Sequence, residues 1–256
     1  VTAPVFLLDP DEPSPADSGL LVLEGREGHH AADVRRLRPG EPVDAVDGRG
    51  TRWCCRVLEA QRGRVVLQVE RREREEPPQP RLVVAQALVK HDAAEQALAC
   101  LTEVGVDEVL PWTARHSVVA WDADRVERGL RRWRGVVAEA AKQSRRAWVP
   151  VVGEPVDLPG LVQRARQATL AVLLDAADAV PVGDLAVPSS GQVLVVVGPE
   201  GGVSAPEREA LVGAGARVGS LGPTVLRSAT AGTVAAAVLL SRSARWRSAA
   251  RVGTAG

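Results

Sequence analysis

The sequence predicts an α/β protein in which a parallel sheet with crossover helices follows a small β-rich barrel. Three observations carry this. From Leu82 onward, short apolar runs alternate with segments of helical length, the pattern of a parallel sheet. Val193-Leu194-Val195-Val196-Val197 is an unbroken branched run suited to a strand covered on both faces. Before it in the chain, Arg71-Arg72-Glu73-Arg74-Glu75-Glu76-Pro77-Pro78-Gln79-Pro80 is charged and then proline-rich, with nothing to bury, and reads as a linker. The expected organisation is a barrel over residues 1–72, a linker over 73–80, a larger α/β domain over 81–245 and a tail over 246–256.

In the first part, Gly19–Leu23, Pro42–Ala45, Trp53–Leu58 and Val65–Val69 are short alternating or β-branched runs. The turn sequences Arg38-Pro39-Gly40 and Asp47-Gly48-Arg49-Gly50 break them into barrel-like strands. After the linker come a strand over Leu82–Leu88, a helix over Ala93–Val104 capped by Asp92 and ended by Gly105, and a strand over Val109–Trp112. A long helix over 123–145, an extended segment at Pro150, a helix over 158–168 and the strand Leu170–Leu174 follow. Beyond Val197, Ser204 with Glu207 three residues on makes a capping box that opens the next helix. The final elements are a strand around Arg217–Leu221, the loop Gly222-Pro223-Thr224-Val225-Leu226-Arg227 and an alanine-rich helix from Thr230 to Arg242. No internal repeat is visible in the sequence.

At 256 residues the chain is long enough for one large or two ordinary cores without covalent staples. Its longest apolar runs are too short for a bilayer span, and its first residues lack the basic flank and apolar core of a signal peptide, so it reads as a cytoplasmic protein. Cys54, Cys55 and Cys100 form no C-x-x-C pair and fit buried hydrophobes, while His29, His30, His91 and His116 are scattered, so no metal site is expected. Net charge is zero, 32 basic against 32 acidic residues, yet its distribution is uneven. Arg125, Arg128, Arg131, Arg132, Arg134, Lys142, Arg145 and Arg146 face only Glu127 and Glu139 in one stretch, and Arg242, Arg245, Arg247 and Arg251 follow near the end. On charge alone this stretch reads equally as a solvated face or as an RNA contact, because the whole chain is rich in arginine and only Lys90 and Lys142 are lysines. Six tryptophans hold most of the aromatic content and read as core anchors, with base stacking open to one of them.

The segment Gly198-Pro199-Glu200-Gly201-Gly202, pinned between strand and capped helix, is the expected ligand site. Its glycines let a ligand approach main-chain groups. It has neither the Gly-Lys-Ser/Thr of a phosphate loop nor a G-x-G-x-x-G entering a helix. Glu200 would repel phosphate but suits a neutral nucleoside or a cation.

Taken together, the two glycine loops resemble the SPOUT superfamily of S-adenosylmethionine-dependent methyltransferases. More narrowly, the chain resembles the ribosomal RNA small-subunit methyltransferase E family along nearly its full length. The N-terminal likeness rests on His29-His30, Val34-Arg35-Arg36-Leu37-Arg38-Pro39-Gly40 and Asp47-Gly48. In the middle it rests on Gln86-Ala87-Leu88-Val89-Lys90, Thr102-Glu103-Val104-Gly105-Val106, Arg132-Trp133 and Ala140-Ala141-Lys142-Gln143-Ser144-Arg145-Arg146. At the C-terminal end it rests on Gly198–Gly202 and Leu221–Ala231. Where the family usually has Leu-Arg-Thr-Glu-Thr-Ala, this chain has Leu226-Arg227-Ser228-Ala229-Thr230-Ala231, which removes a carboxylate at Ala229 and keeps a hydroxyl at Ser228.

The resemblance implies a PUA-like barrel before a SPOUT-type sheet with a C-terminal trefoil knot, and methylation of N3 of a uridine in 16S ribosomal RNA. It implies S-adenosylmethionine as cofactor, held by Leu173, Leu174, Gly198, Pro199, Glu200, Gly201, Gly202, Leu221, Gly222, Val225, Leu226, Ser228, Thr230 and Ala231. No metal is called for, since a sulfonium leaving group is already activated. Arg227 is the candidate catalytic group, because N3 becomes nucleophilic as its proton leaves and a guanidinium stabilises the negative charge that develops on a carbonyl oxygen. RNA contacts are expected at His30, Arg35, Arg36, Arg38, Lys90, Arg132, Gln143, Arg145 and Arg146, with Lys142 beside them. The small ribosomal subunit and a second copy of the chain are the expected partners, the homodimer drawing modest support from small residues at Ala231, Ala235 and Val238. Two other readings stand beside this one: a SPOUT enzyme acting on another RNA such as tRNA, and a non-catalytic RNA-binding or assembly protein, hinted at by Ala229.

Overall fold

A computed structural model describes residues 3–8 and 19–247; the tail from residue 248, with Arg251, lies outside the described residues. The chain divides into two compact units, Val1–Pro77 with Ala138–Val149 and Pro78–Val137 with Pro150–Gly256.

The first unit is built on five strands: β1 (Val5–Leu7), β2 (Leu20–Leu23), β3 (Pro42–Val46), β4 (Thr51–Gln61) and β5 (Arg64–Arg74), in the order β1-β3-β4-β5-β2. β1 joins parallel to β3 and the other pairings are antiparallel. Alternation sends Leu21, Leu23, Val43, Ala45, Trp53, Cys55, Val57, Val65 and Leu67 inward, where they pack with Phe6. Two register shifts, at Cys54/Cys55 and Val57/Glu59, bend the long β4–β5 hairpin. A short helix α1 (Gly25–His29) leads into a wide turn at His30–Val34, where the Arg35 N–H donates to the His30 carbonyl at 2.8 Å. β5 runs through Arg74, into the charged run that composition assigns to a linker. Trp53 and Thr51 of β4 pair with Arg72 and Arg74 there, and the Arg72 guanidinium lies over the Trp53 ring. A strand whose outer face is charged is thus held by pairing and by the alkyl stems of its arginines.

The second unit contains a seven-stranded parallel sheet. Its elements are β6 (Arg81–Ala87), α2 (His91–Val104), β7 (Glu108–Trp112), α3 (Ala123–Gln143), β8 (Val151–Val152), α4 (Leu158–Gln167), β9 (Leu170–Leu174), β10 (Val180–Pro181), β11 (Gln192–Val197), α5 (Ala205–Gly213), β12 (Arg217–Ser220), α6 (Ser228–Arg242) and α7 (Ala244–Arg247). The strand order is β10-β12-β9-β11-β6-β7-β8, with every pair parallel. β11 lies at its centre, and Val193–Val197 is buried throughout, as an all-branched strand covered on both faces requires. α3 passes from this unit into the first, to which its last turn and the segment up to Val149 belong.

Several element ends differ from the sequence reading. α2 starts at His91 with Lys90 at its cap position and no side-chain cap bond, so Asp92 sits inside the first turn, where its charge favours the helix start. α6 starts at Ser228, two residues before Thr230. α3 ends at Gln143 rather than 145, since Arg145 takes a left-handed conformation, φ 56°. The strands β1, β8 and β10, of two or three residues, are too short to leave a periodic signal.

Candidate functional site

Three strands of the second unit end at one place, and the loops that leave them enclose a cavity of about 400 Å³. Leu174, Asp175 and Ala176 come from the end of β9, Val197 to Val203 (without Gly201) from the exit of β11, and Gly219 to Ala231 (without Pro223, Ala229 and Thr230) from β12 into α6. This is the carboxyl edge of a parallel sheet, where ligands of open α/β folds bind.

The first wall is fixed at both ends. The Val197 carbonyl accepts the indole N–H of the fully buried Trp112 at 2.9 Å, which anchors the end of β11. At the other end Glu207 accepts the Ser204 N–H at 2.8 Å and the Ser204 hydroxyl at 2.6 Å, the expected capping box, and its other oxygen accepts the Arg115 N–H at 2.7 Å. Burial pushes the Glu207 carboxyl up, but the hydrogen bonds from the Ser204 hydroxyl and from the Arg115 and Ser204 N–H groups, with the charge of His116, hold it below the usual glutamate value. Between these anchors the chain turns through Gly202, whose φ of 74° is left-handed and favours glycine although nothing crowds its Cβ position.

The second wall is the loop from Leu221 to Arg227. Gly222 supplies its left-handed turn, φ 105°. Arg227 caps α6 with extended backbone, and its carbonyl accepts the N–H groups of Thr230 and Ala231, each at 2.9 Å. Its guanidinium is exposed at the cavity and makes no hydrogen bond or ion pair among the described residues. The two walls are tied together by Ser228, whose hydroxyl donates to the Gly198 carbonyl at 2.8 Å and accepts from the Gln86 amide at 2.9 Å. Gln86 is wholly buried near the end of β6; it belongs to the Gln86–Lys90 motif, but nothing local in the sequence marks it as part of the site.

Of the cofactor-binding candidates, Leu174, Gly198, Pro199, Glu200, Gly202, Leu221, Gly222, Val225, Leu226, Ser228 and Ala231 line this cavity, as does Arg227. Leu173, Gly201 and Thr230 do not. Leu173 faces the core beneath the sheet, and Thr230 turns its hydroxyl back to the Arg227 carbonyl. Gly201 is needed for a different neighbour, because a Cβ there would stand 2.9 Å from Cβ of His116. Asp175, Ala176, Val197, Val203, Gly219, Ser220 and Thr224 line the cavity without having been expected. Val197, Val203, Gly219, Ser220 and Thr224 flank or belong to the two glycine loops, whereas Asp175 and Ala176 follow β9 and reach the cavity through strand order.

The RNA-binding candidates fall into both units. In the first, Arg35, Arg36 and Arg38 are exposed in the turn that follows His30–Val34, and His30 is half-buried with its ring edge-on to Phe6. Gln143 and Arg145 are exposed and Arg146 is half-buried. Lys142 departs from its expected role: it is buried, with Nζ 2.7 Å from Glu27 and 3.0 Å from Glu139. In the second unit Lys90 is exposed, and Arg132 is ion-paired with Glu95 at 2.5 Å. Trp53, Trp112 and Trp133 are core residues, and Trp246 is half-exposed. Of the small-residue stripe of α6, Ala235 is buried inside its own unit, while Ala231 and Val238 are half-buried.

Among the described residues no group of three or more His, Cys, Asp or Glu gathers to hold a metal ion, and no helix is long and apolar enough to cross a membrane.

A family profile for an RNA methyltransferase domain matches residues 75–240, and one for an RNA methyltransferase PUA domain matches residues 23–70. The chain is 44% identical over 240 residues to the ribosomal RNA small subunit methyltransferase E of Mycobacterium bovis, covering 92% of each chain. It is 29% identical to that of Bacillus subtilis, over 82% of this chain and 85% of the relative. Among solved structures, a Legionella pneumophila chain with the cofactor SAM (S-adenosylmethionine) bound superposes with a TM-score of 0.84 at 26% identity, covering 95% of this chain and 99% of that one. The fold is shared too with the Neisseria gonorrhoeae ribosomal RNA small subunit methyltransferase E bound to S-adenosyl methionine, with a TM-score of 0.82 at 24% identity over 94% and 98% of the two chains. The barrel is therefore a PUA domain, the sheet is of SPOUT type, and the chain belongs to the ribosomal RNA small subunit methyltransferase E family.

Proposed function

We propose that this chain, by its family an S-adenosylmethionine-dependent ribosomal RNA methyltransferase, transfers the cofactor's methyl group to N3 of a uridine in 16S ribosomal RNA, and that the cavity at the carboxyl edge of the sheet holds the cofactor. The observation that carries this reading is the convergence of two glycine loops and the end of β9 on one cavity, with an unpaired guanidinium at its wall.

The cavity fits the cofactor. Its volume of about 400 Å³ lies within the usual range for small-molecule sites. Leu174, Val197, Leu221 and Leu226 offer apolar surface to a purine, while the main chain of the two glycine loops offers N–H and C=O groups to its edge and to the ribose. Glu200 and Asp175 give the cavity a negative side, suited to a ligand that carries a sulfonium and an ammonium. When bound, the cofactor supplies a methyl group on a sulfonium, which leaves as a neutral thioether.

The chain's own residues then have three tasks. The glycine loops hold the methyl donor. Arg227 is placed to stabilise the negative charge that spreads onto a uridine carbonyl as the N3 proton leaves, an interaction strongest in the transition state. The exposed arginines of the barrel, Arg35, Arg36 and Arg38, together with Arg145, hold the RNA backbone and position the target base. Leu221–Ala231 facing Gly198–Gly202 across one cavity supports the trefoil knot that the family implies.

The enzyme works in the cytoplasm as a homodimer. Support for the dimer is Val225, an apolar side chain 94% exposed beside the cavity, which a second copy would cover. Light scattering of the purified protein should give twice 27.0 kDa; a fully active monomer would refute it.

The decisive test of the reaction is mass spectrometry of 16S ribosomal RNA from cells with and without the gene, followed by methylation of the deficient RNA with purified protein. N3-methyluridine should be absent from the deficient RNA and restored in vitro. Its presence in both samples, or methylation only of tRNA, would sink the assignment.

A further inference from the structure

We propose that Gln86 is a positioning residue for the cofactor site, its amide setting the direction of the Ser228 hydroxyl and through it holding the Gly198–Gly202 loop against the start of α6. This rests on the reading of the cavity as the cofactor site.

Gln86 occupies an unusual place for an amide. It lies on β6, between β11 and β7, in register with Val197 and Pro111, and is 0% exposed. Its chain neighbours Val84, Ala85, Ala87 and Leu88 are all buried and apolar. Its Oε1 has no hydrogen-bond partner among the described residues. A buried amide with an unsatisfied oxygen lowers stability relative to an apolar side chain of the same shape. Stability therefore does not explain why the position is polar.

The hydrogen bonds give the reason. Gln86 Nε2 lies 2.9 Å from Ser228 Oγ and 3.4 Å from the Ala87 carbonyl, and Ser228 Oγ lies 2.8 Å from the Gly198 carbonyl. Both carbonyls can only accept. The single proton of the hydroxyl must go to Gly198, so the hydroxyl needs a donor behind it, and the Gln86 N–H₂ is that donor. With the amide reversed, its oxygen would face the Ala87 carbonyl and a hydroxyl whose proton is already committed. The chain of donation therefore runs in one direction, from Gln86 through Ser228 to Gly198.

Two consequences follow for the cavity. The carbonyl of Gly198, in the first wall, is locked to the first residue of α6, in the second, next to Arg227. Ser228 also lines the cavity with both its proton and one lone pair in use, so it presents an acceptor and selects for a donor group on the ligand.

The test uses the full-length protein with Gln86→Met, Gln86→Glu, Ser228→Ala and the Gln86→Met/Ser228→Ala double variant, measuring thermal midpoint, S-adenosylmethionine affinity by calorimetry, and KM and kcat. Gln86→Met should melt at or above the wild-type temperature and bind the cofactor roughly three- to tenfold more weakly, the scale of one net hydrogen bond. A purely structural amide would lower both. In the double variant Gln86→Met should add little to the loss from Ser228→Ala, because the amide acts through that hydroxyl. Gln86→Glu should bind progressively more weakly as pH rises, since a protonated carboxyl donates to Ser228 and an ionised one cannot; wild type and Gln86→Met should lack this slope. Binding by Gln86→Met within about twofold of wild type, failure of that variant to fold, or a flat pH profile for Gln86→Glu would overturn the proposal. The reading of the cavity itself fails separately, if wild-type protein binds S-adenosylmethionine and Gly198→Val binds it equally well.

Discussion

His116 and Gly201 are held against each other: the Nδ1–H of the imidazole is shared between the Gly201 and Gly202 carbonyls, at 3.1 and 3.2 Å, and a Cβ on Gly201 would stand 2.9 Å from Cβ of His116. Since both partners are carbonyls, Nδ1 carries the proton. The glycine at 201 thus lets its loop pack on His116.

That contact yields the first prediction. Gly201→Ala should displace the loop and weaken S-adenosylmethionine binding, while the protein stays folded. His116→Gly alone should cost less, and the Gly201→Ala/His116→Gly double variant should regain part of the affinity, because the Cβ that the new methyl group would strike is gone. Additive losses in a calorimetric double-mutant cycle would show that the two positions act independently.

The second prediction concerns Arg227, whose backbone caps α6 while its exposed side chain makes no hydrogen bond or ion pair among the described residues, so truncating the side chain leaves the cap in place. Arg227→Ala should lower kcat by about 10² or more, the scale for removing a group that stabilises developing charge, and leave cofactor affinity within a few-fold of wild type. A loss of less than tenfold, read by single-turnover kinetics, would make it a bystander.

Arg145 carries the third. Its backbone is left-handed, φ 56°, a conformation that costs a side chain about 1 kcal/mol and costs glycine little. The carbonyl of Arg145 accepts from Arg52 at 2.7 Å, which keeps the strained turn in place. Arg145→Gly should therefore raise the melting temperature and, at the same time, weaken RNA binding and reduce the salt slope by about one phosphate contact. Stability and RNA affinity moving in the same direction would remove Arg145 from the RNA-binding set.

The legible parts of this fold are those with strong local signals. The branched run Val193–Val197 and the capping box at Ser204 and Glu207 both stand as read. Most of the cavity wall was legible too, because glycine loops are local. What escaped was long-range. Asp175 and Gln86 reach the site only through strand order, and no spacing in the chain puts β9 or β6 beside β11. Lys142 looked like one more cation of a basic helix, yet Glu27, 115 residues away in sequence, neutralises it. The return of Ala138–Val149 to the first unit also left no trace in composition, since the helix that carries it has no break. β5 was cut short because charge at Arg71–Arg74 reads as linker when its pairing partner is unseen.

The fourth prediction is a pH dependence tied to the first wall of the cavity. Glu207 is 5% exposed and holds the Ser204 and Arg115 N–H groups, so its carboxyl sits below the usual glutamate value. A group whose folded pKa is depressed contributes stability that is full above its unfolded value, about 4.3, and is lost as pH falls through the lower folded value. Melting temperature should therefore decline below about pH 4.3, and the Glu207→Gln variant should show a shallower decline over that window because its amide does not titrate. At neutral pH the same variant should be less stable than wild type, since the two N–H groups are held by different carboxylate oxygens and the amide has only one oxygen to accept with, its NH₂ facing the other donor. The cofactor should also bind it more weakly, because the glycine loop is anchored at its far end by this carboxylate. Equal acid sensitivity in wild type and Glu207→Gln would show that other carboxylates govern the acid limb and that the capping box contributes nothing to it.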